Sequence, residues 1–268
     1  MLDRFNREIY YLRISVTDRC NLRCYYCMPE HGVKRLRHDQ ILSYEQIIKI
    51  VKEAVKIGIK KIRLTGGEPL VRKGISYLIR EIKKIDGINE LTMTTNGVLL
   101  ENMAFELKNA GLDRLNISLD TLDPEKYNEI TRIGDIRRVF RGIDAVIKAG
   151  FKGTKLNMVL IPGKNDDEVE DMKEFCIKKG LLLQRINHYS LNNLNSINRL
   201  YEAERPLPCS LCNRIRLTAN GNFKPCLFSD LEIPIDFNNI IGTIEKAVIN
   251  KPANGTHCFK RQNWQIGG

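Results

Sequence analysis

Apolar positions along this chain recur at two spacings that take turns. YYLRISVTD (10–18) alternates apolar and polar residues, which predicts a strand that stops at a cysteine-bearing loop. SYEQIIKIVKEAVKIG (43–58) spaces its apolar residues for one face of a helix. Ser43 and Gln46 stand in capping-box spacing, and Gly58 closes the segment. The rhythm then repeats. KKIRLTGG is a strand ending in a turn, ISYLIREIKKID a helix closed by Gly87, ELTMTTNG a strand, AFELKNAG a helix and RLNISLD a strand. IRRVFRGIDAVIKAG, TKLNMVLI, EVEDMKEFCIKKG and LLLQRINHYS follow as helix, strand, helix and strand. Six such β units predict parallel strands with right-handed crossovers, in a doubly wound sheet or a whole or partial barrel. In either, the loops after the strands' C-terminal ends carry the chemistry.

The rhythm breaks near residue 191. NNLNSINRLYEAERPLP is polar and irregular. CSLCNRIRLTANGNFKPCLF reads as a cysteine pair, a hairpin turn at Asn220-Gly221 and a third cysteine. The expected division is therefore a 1–190 β/α unit and a 191–268 extension.

Composition narrows the classes. The chain has 268 residues and a net charge of +11, which suits nucleic acid, anionic lipid or a polyphosphate substrate. The charge is spread along the chain, with no block of five or six like charges. No apolar run approaches the ~18 residues of a membrane helix. The segment MLDRFNREIYYLR lacks the apolar stretch of a secretory signal, so a cytoplasmic location is expected. Thiols stay reduced there, and clustered cysteines point to metal or catalysis more than to disulfides.

Two cysteine groups stand out. Cys20, Cys24 and Cys27 follow the first strand as C-x3-C-x2-C. Three thiolates on a four-iron cluster leave one iron without a protein ligand, and an open metal position is what catalysis needs. Tyr25 and Tyr26 could shield such a cluster from water. Cys209, Cys212 and Cys226 form the second group, C-x2-C-x13-C. Zinc is a competing reading there, because zinc ribbons pair C-x2-C with a distant partner. Cys258 is a candidate fourth ligand, and Cys176 reads as a structural thiol within a helix. Arg214 and Arg216 alternate on the strand after Cys212, and guanidinium forks on one face suit a bound phosphate. The glycines of TGGEP (65–69) would let backbone approach a ligand, and Pro69 keeps Glu68 out of helical geometry. His31, His38, His188 and His257 are scattered and read as surface or packing residues.

LRISVTDRCNLRCYYCMP, IRLTGGEPL, TTNG, LNISLD, KLNMVLIPGKND, CNRIRLTANGNFKPCLFSD and the final IGG resemble the radical S-adenosylmethionine superfamily and, within it, the GTP 3′,8-cyclase family. The resemblance implies an α/β fold, an incomplete (β/α)6 TIM-type barrel with a C-terminal cluster-binding extension. It implies two [4Fe–4S] clusters, held by Cys20, Cys24 and Cys27 and by Cys209, Cys212 and Cys226, with S-adenosylmethionine as cofactor. Tyr26, Gly67, Ser118 and Ser190 would contact S-adenosylmethionine. Arg13, Arg63, Thr94, Lys155, Arg214, Ile215 and Arg216 would contact GTP. Gly267 and Gly268 match a tail expected to reach back into the active site.

The implied reaction uses a 5′-deoxyadenosyl radical to take the ribose 3′-hydrogen of GTP, and closes the sugar carbon onto guanine C8. Implied partners are GTP, a reductant such as a flavodoxin or ferredoxin, and a downstream cyclic pyranopterin monophosphate synthase. A homodimer is a further candidate assembly. Neither nucleic acid nor membrane is expected.

The chain departs from the family pattern in two places. The segment between the sixth strand and the second cysteine group, 191–208, is short. The sixth strand reads RINHYS, with His188 in place of an acid and Ser190 where the family has a cofactor-contacting Met. Two alternatives stay open: a radical enzyme acting on a peptide or another small molecule, and a basic zinc-stabilised RNA-binding protein.

Overall fold

The structure is a computed structural model that describes every residue except 194, 196, 198–200 and 268. Six strands run in chain order: β1 (Tyr11–Ser15), β2 (Lys61–Thr65), β3 (Glu90–Thr95), β4 (Arg114–Ser118), β5 (Lys155–Leu160) and β6 (Leu182–Asn187). Each is parallel to the next. The crossovers carry α1 (Tyr44–Lys56), α2 (Ile75–Lys83), α3 (Leu100–Asn109), α4 (Pro124–Thr131), α5 (Ile136–Lys148) and α6 (Val169–Lys179). The capping box at α1 forms as the spacing predicts: Ser43 Oγ accepts from Gln46 N–H, and the Gln46 side chain accepts from Ser43 N–H. α4 lies outside the predicted elements. Asp123 caps it by accepting from the N–H groups of Glu125 and Lys126, and Pro124 opens it.

Strand alternation sorts the side chains. Leu12, Ile14, Ile62, Leu64, Leu115 and Ile117 point to the helix side and are fully buried in one continuous core. Burial of each such side chain stabilises the fold by roughly 1.5–3 kcal/mol. The residues between them, Tyr11 and Arg13 on β1 or Lys61 and Arg63 on β2, face the other way and line a cavity.

The segment beyond residue 191 rejoins this sheet. β7 (Arg214–Leu217) pairs parallel with β1, Tyr11 opposite Arg214 and Arg13 opposite Arg216. β8 (Asn222–Lys224) and β9 (Ile233–Pro234) follow antiparallel. The order is β6-β5-β4-β3-β2-β1-β7-β8-β9, a partial barrel wall extended past β1. Arg205 lies along β6, bridged to Ile186, and its carbonyl accepts from Asn187 N–H. α7 (Ile240–Ile249) packs against α1, and the short α8 (Asn263–Ile266) brings the chain back to β1. Among the described residues no helix is long and apolar enough to cross a membrane.

Candidate active site

A cavity of about 920 Å³ fills the inside of the sheet, and both cysteine groups line it. Topology places them at opposite ends. Cys20, Cys24 and Cys27 follow the C-terminal end of β1, whereas Cys209 and Cys212 precede the N-terminal end of β7. β1 and β7 are parallel and in register, so the two groups flank the length of the strands. Cys226 follows β8, which runs antiparallel to β7 with Lys224 opposite Arg216, and this returns it to the Cys212 end.

The first loop is wound around Cys24, whose carbonyl accepts from Cys27 N–H and Met28 N–H, both at 2.9 Å. Leu22 N–H and the Asn96 side-chain amide donate toward Cys20 Sγ, at 3.4 and 3.9 Å. Burial pushes the Cys20 thiol up to about 11 and that of Cys27 up to about 12. Cys212 differs. Burial pushes it up too, but the charges of Lys251 and Arg214 outweigh burial and bring it down to about 7. Lys251 is fully buried and donates to the carbonyls of Arg214 (2.9 Å) and Pro225 (2.8 Å), so it braces both strands that carry this group.

Among the described residues no three His, Cys, Asp or Glu side chains converge as they would on a single metal ion. Each group instead offers three half-buried thiols to one open volume, a donor set that fits an iron–sulfur cluster with one iron left free. Cys258 does not line the cavity. It is buried, accepts from Lys224 Nζ at 3.5 Å, and so is no fourth ligand here; Cys176 is buried in α6, as expected.

Tyr26 lines the cavity, and its hydroxyl donates to Asp120 Oδ2 at 2.6 Å. Asp120 Oδ1 accepts from Val159 N–H at 2.8 Å, which ties the cysteine loop to β5. Burial raises the Asp120 carboxyl to about 6. Gly67 lines the cavity as expected, but the glycine pair answers first to a protein neighbour. A Cβ on Gly67 would stand 2.4 Å from the Arg19 carbonyl oxygen, and one on Gly66 would stand 2.5 Å from that of Thr17. The turn after β2 therefore fits tightly on the backbone that leads into the cysteine loop. Glu68 locks it there. Its carboxylate accepts from Leu70 N–H, Thr95 Oγ1 and Asn96 N–H at 3.0, 2.7 and 2.7 Å.

The middle of the cavity is cationic. Arg13, Arg63, Lys155, Arg214 and Arg216 line it as the sequence suggests, with Thr94 accepting from Arg63 at 3.0 Å. The arginines crowd one another: burial, then the charge of Arg216, holds the Arg13 guanidinium well below its usual range. Tyr11 lies among them, with Lys61 5.3 Å and Arg63 and Arg214 each 5.9 Å from its ring centre. The Gly267 carbonyl accepts from Arg13 (2.8 Å) and Arg216 (3.1 Å), so the tail does reach inside.

Three predicted residues do not join this lining; one of them, Gly267, reaches it only through the carbonyl that accepts from Arg13 and Arg216. Ser190 is exposed, because β6 ends at Asn187 and the chain then turns, with Ser190 bridged to Asn193. Ile215 lies on the core face of β7, between the two inward arginines, and its side chain is fully buried. Gly268 lies outside the described residues. Lys61, Arg114 and Arg205 line the cavity without having been singled out. Lys61 and Arg114 could have been read as inward positions in register with their neighbours; Arg205 comes from the irregular segment and had no such signal. His188 is more than packing: it lines the cavity with its ring edge-on to Tyr26.

The family model described as the radical SAM superfamily matches residues 14–176, and the chain belongs to that superfamily. A GTP 3′,8-cyclase of Petrotoga mobilis is 41% identical over 325 residues, covering 100% of both chains, and one of Thermodesulfovibrio yellowstonii is 44% identical over 279 residues, covering 88% of this chain and 87% of the other. Within the superfamily, then, the chain belongs to the GTP 3′,8-cyclase family. The Petrotoga alignment is longer than the 268 residues present here, so that relative carries residues without a counterpart in this chain. In fold, the chain is similar to Streptococcus suis SuiB bound to S-adenosylmethionine, with a TM-score of 0.69 and 16% identity over 93% of this chain and 66% of that one.

Proposed function

We infer that the chain converts GTP into 3′,8-cyclo-7,8-dihydro-GTP, the first step of molybdenum cofactor biosynthesis. The observation that carries this reading is one cavity with a three-cysteine group at each end and a cationic wall between them. Cys20, Cys24 and Cys27 hold one [4Fe–4S] cluster, and Cys209, Cys212 and Cys226 hold the other. A cluster held by Cys20, Cys24 and Cys27 would, with S-adenosylmethionine, supply the radical chemistry needed to remove the ribose 3′-hydrogen. The rest of the work is positioning and exclusion of water.

Tyr26, Gly67 and Ser118 face S-adenosylmethionine at the first-cluster end. Arg13, Arg63, Thr94, Lys155, Arg214 and Arg216 hold the triphosphate. Like charges packed this closely repel one another, and a polyanion relieves the repulsion. Gly267 fixes the angle of two of these arginines through its carbonyl. A peptide substrate would leave this wall unmatched. Residues 191–268 act as a cluster-bearing extension of the 1–190 unit. An external reductant such as a flavodoxin or ferredoxin supplies electrons, a cyclic pyranopterin monophosphate synthase takes the product, and a homodimer is the assembly to look for.

Anaerobic turnover of 3′-deuterated GTP tests the reading. Deuterium should appear in 5′-deoxyadenosine. If 5′-deoxyadenosine forms without deuterium, the abstracted atom is wrong; if none forms with both clusters loaded, the activity is absent.

A further inference from the structure

The first cysteine loop has an outer face as well as an inner one. Cys20 lines the large cavity and also a separate cavity of about 180 Å³, which is walled by Arg23, Met28, His31 and Arg35. Cys20 is thus the partition between the reaction chamber and the surface. On the chamber side, space is taken by the substrate and cofactor sites, and Asn263 and Trp264 of the tail region add to the wall. The outer side is the short way in to this thiol group.

That outer side is basic and held in shape. Arg19, Arg23, Lys34 and Arg35 are exposed, and among the described residues none of their side chains pairs with an acid. The acids nearby are otherwise engaged: Asp39 pairs with Arg37, and Asp18 is buried and accepts from Leu36 N–H at 2.6 Å. Glu30 alone on this loop stands exposed against the four cations. No helix or strand runs through residues 16–37, yet the segment is anchored. Arg132 donates to the carbonyls of Arg23 (3.1 Å) and Met28 (2.8 Å), which staples the loop to the end of α4. An anchored, predominantly basic surface backed by a cluster thiol suits reversible docking of a partner with the opposite sign.

We propose that this face, residues 19–37, docks an acidic one-electron donor protein. The proposal rests on the reading of Cys20, Cys24 and Cys27 as the ligands of the radical-generating cluster. One electron passes, leaving the donor oxidised by one and the acceptor cluster reduced by one; no bond forms or breaks and no proton is required. Charge sets the encounter, and contact beside Cys20 sets the distance.

The test uses the cluster-loaded protein and a flavodoxin, an acidic flavin protein, as the donor. Binding is measured by calorimetry across a range of salt. Lys34→Glu/Arg35→Glu should weaken the complex about tenfold or more and flatten its salt dependence. Lys148→Glu/Lys152→Glu makes the same change of net charge at the far end of α5 and should stay within about twofold of the parent. Iron content, and GTP turnover driven by dithionite, should be unchanged in both variants. The proposal is overturned if the parent protein does not bind flavodoxin at low salt, if the loop variant binds equally well, or if the far variant loses as much. Failure of dithionite-driven turnover in the parent would instead fault the functional reading, because docking is read from affinity alone.

Discussion

Gly267 has no room for a side chain. Its backbone sits at φ +63°, a conformation that costs other residues roughly 1–2 kcal/mol, and a Cβ there would lie 2.2 Å from Thr65 Cγ2. The strain is small beside the collision. Gly267→Ala must move either the tail or β2, and either shift takes the Gly267 carbonyl away from Arg13 and Arg216. Because misplacement of a positioning group by about 1 Å can cost about a hundredfold, kcat for GTP should fall by about that factor. Cluster content should not change, since the collision is with Thr65 of β2 and not with either cysteine group. Rapid-quench measurement of product, beside an iron assay, checks both. An unchanged kcat would remove the tail from the mechanism.

At the scale of elements, the joint between the β2 turn and the β3 end has its own titration. Burial raises the Glu68 carboxyl to about 7, above the ordinary value of 4.5, even though three donors favour its ionised form. The folded protein thus holds this proton more tightly than the unfolded chain does. The stabilisation is complete below about pH 4.5 and is lost as pH rises through about 7. Glu68→Gln lacks that dependence. Its amide also sets an N–H against Asn96 N–H, a buried mismatch that should cost about 1–3 kcal/mol. Anaerobic urea unfolding from pH 5.5 to 7.5 should show the gap between the two proteins widening toward acid. A gap constant with pH would mean that Glu68 does not titrate in this range.

The elements differ in how far they could be read in advance. β1 to β6 and their main helices follow from local periodicity, which needs no partner to be seen. α4 carries a local mark, Asp123-Pro124, but its eight residues are too few for a periodic pattern to stand out. β7 is legible as a strand, yet nothing local says that it pairs with β1 some two hundred residues earlier. The same reason hid Arg205 and Asp120. One enters the cavity by lying along β6, and the other acts by holding Tyr26, and both depend on contacts far apart in sequence. The cysteine groups were plain because spacing alone marks them. Ser190 lies off the strand because β6 ends at Asn187, where its pairing with β5 stops, and where pairing stops is set by the neighbour and not by the strand's own residues.

For the whole molecule the governing fact is a cavity wall in which basic side chains crowd together. Glu90 pairs with Lys61 and Arg114 at one edge, and Arg13, Arg63, Arg214 and Arg216 stand side by side on the same face of β2, β1 and β7. Their mutual repulsion is unfavourable and a bound polyanion reduces it, so part of the binding energy of a polyphosphate is relief of that repulsion. A ligand that carries the charge without the base or sugar should therefore stabilise the protein by itself. At a hundredfold excess over its Kd, inorganic tripolyphosphate contributes about 2.7 kcal/mol, or roughly 5–10 °C in Tm for a chain of this size. Guanosine at the same concentration, lacking the phosphates, should shift Tm far less, and Arg216→Ala should reduce the tripolyphosphate shift while leaving the guanosine shift alone. Raising salt should erode the first shift more than the second, since ions compete for the same wall. Scanning calorimetry on the cluster-loaded protein reads all of these together. If guanosine protected as well as tripolyphosphate, the arginines would be structural and the nucleotide would have to be held by its base.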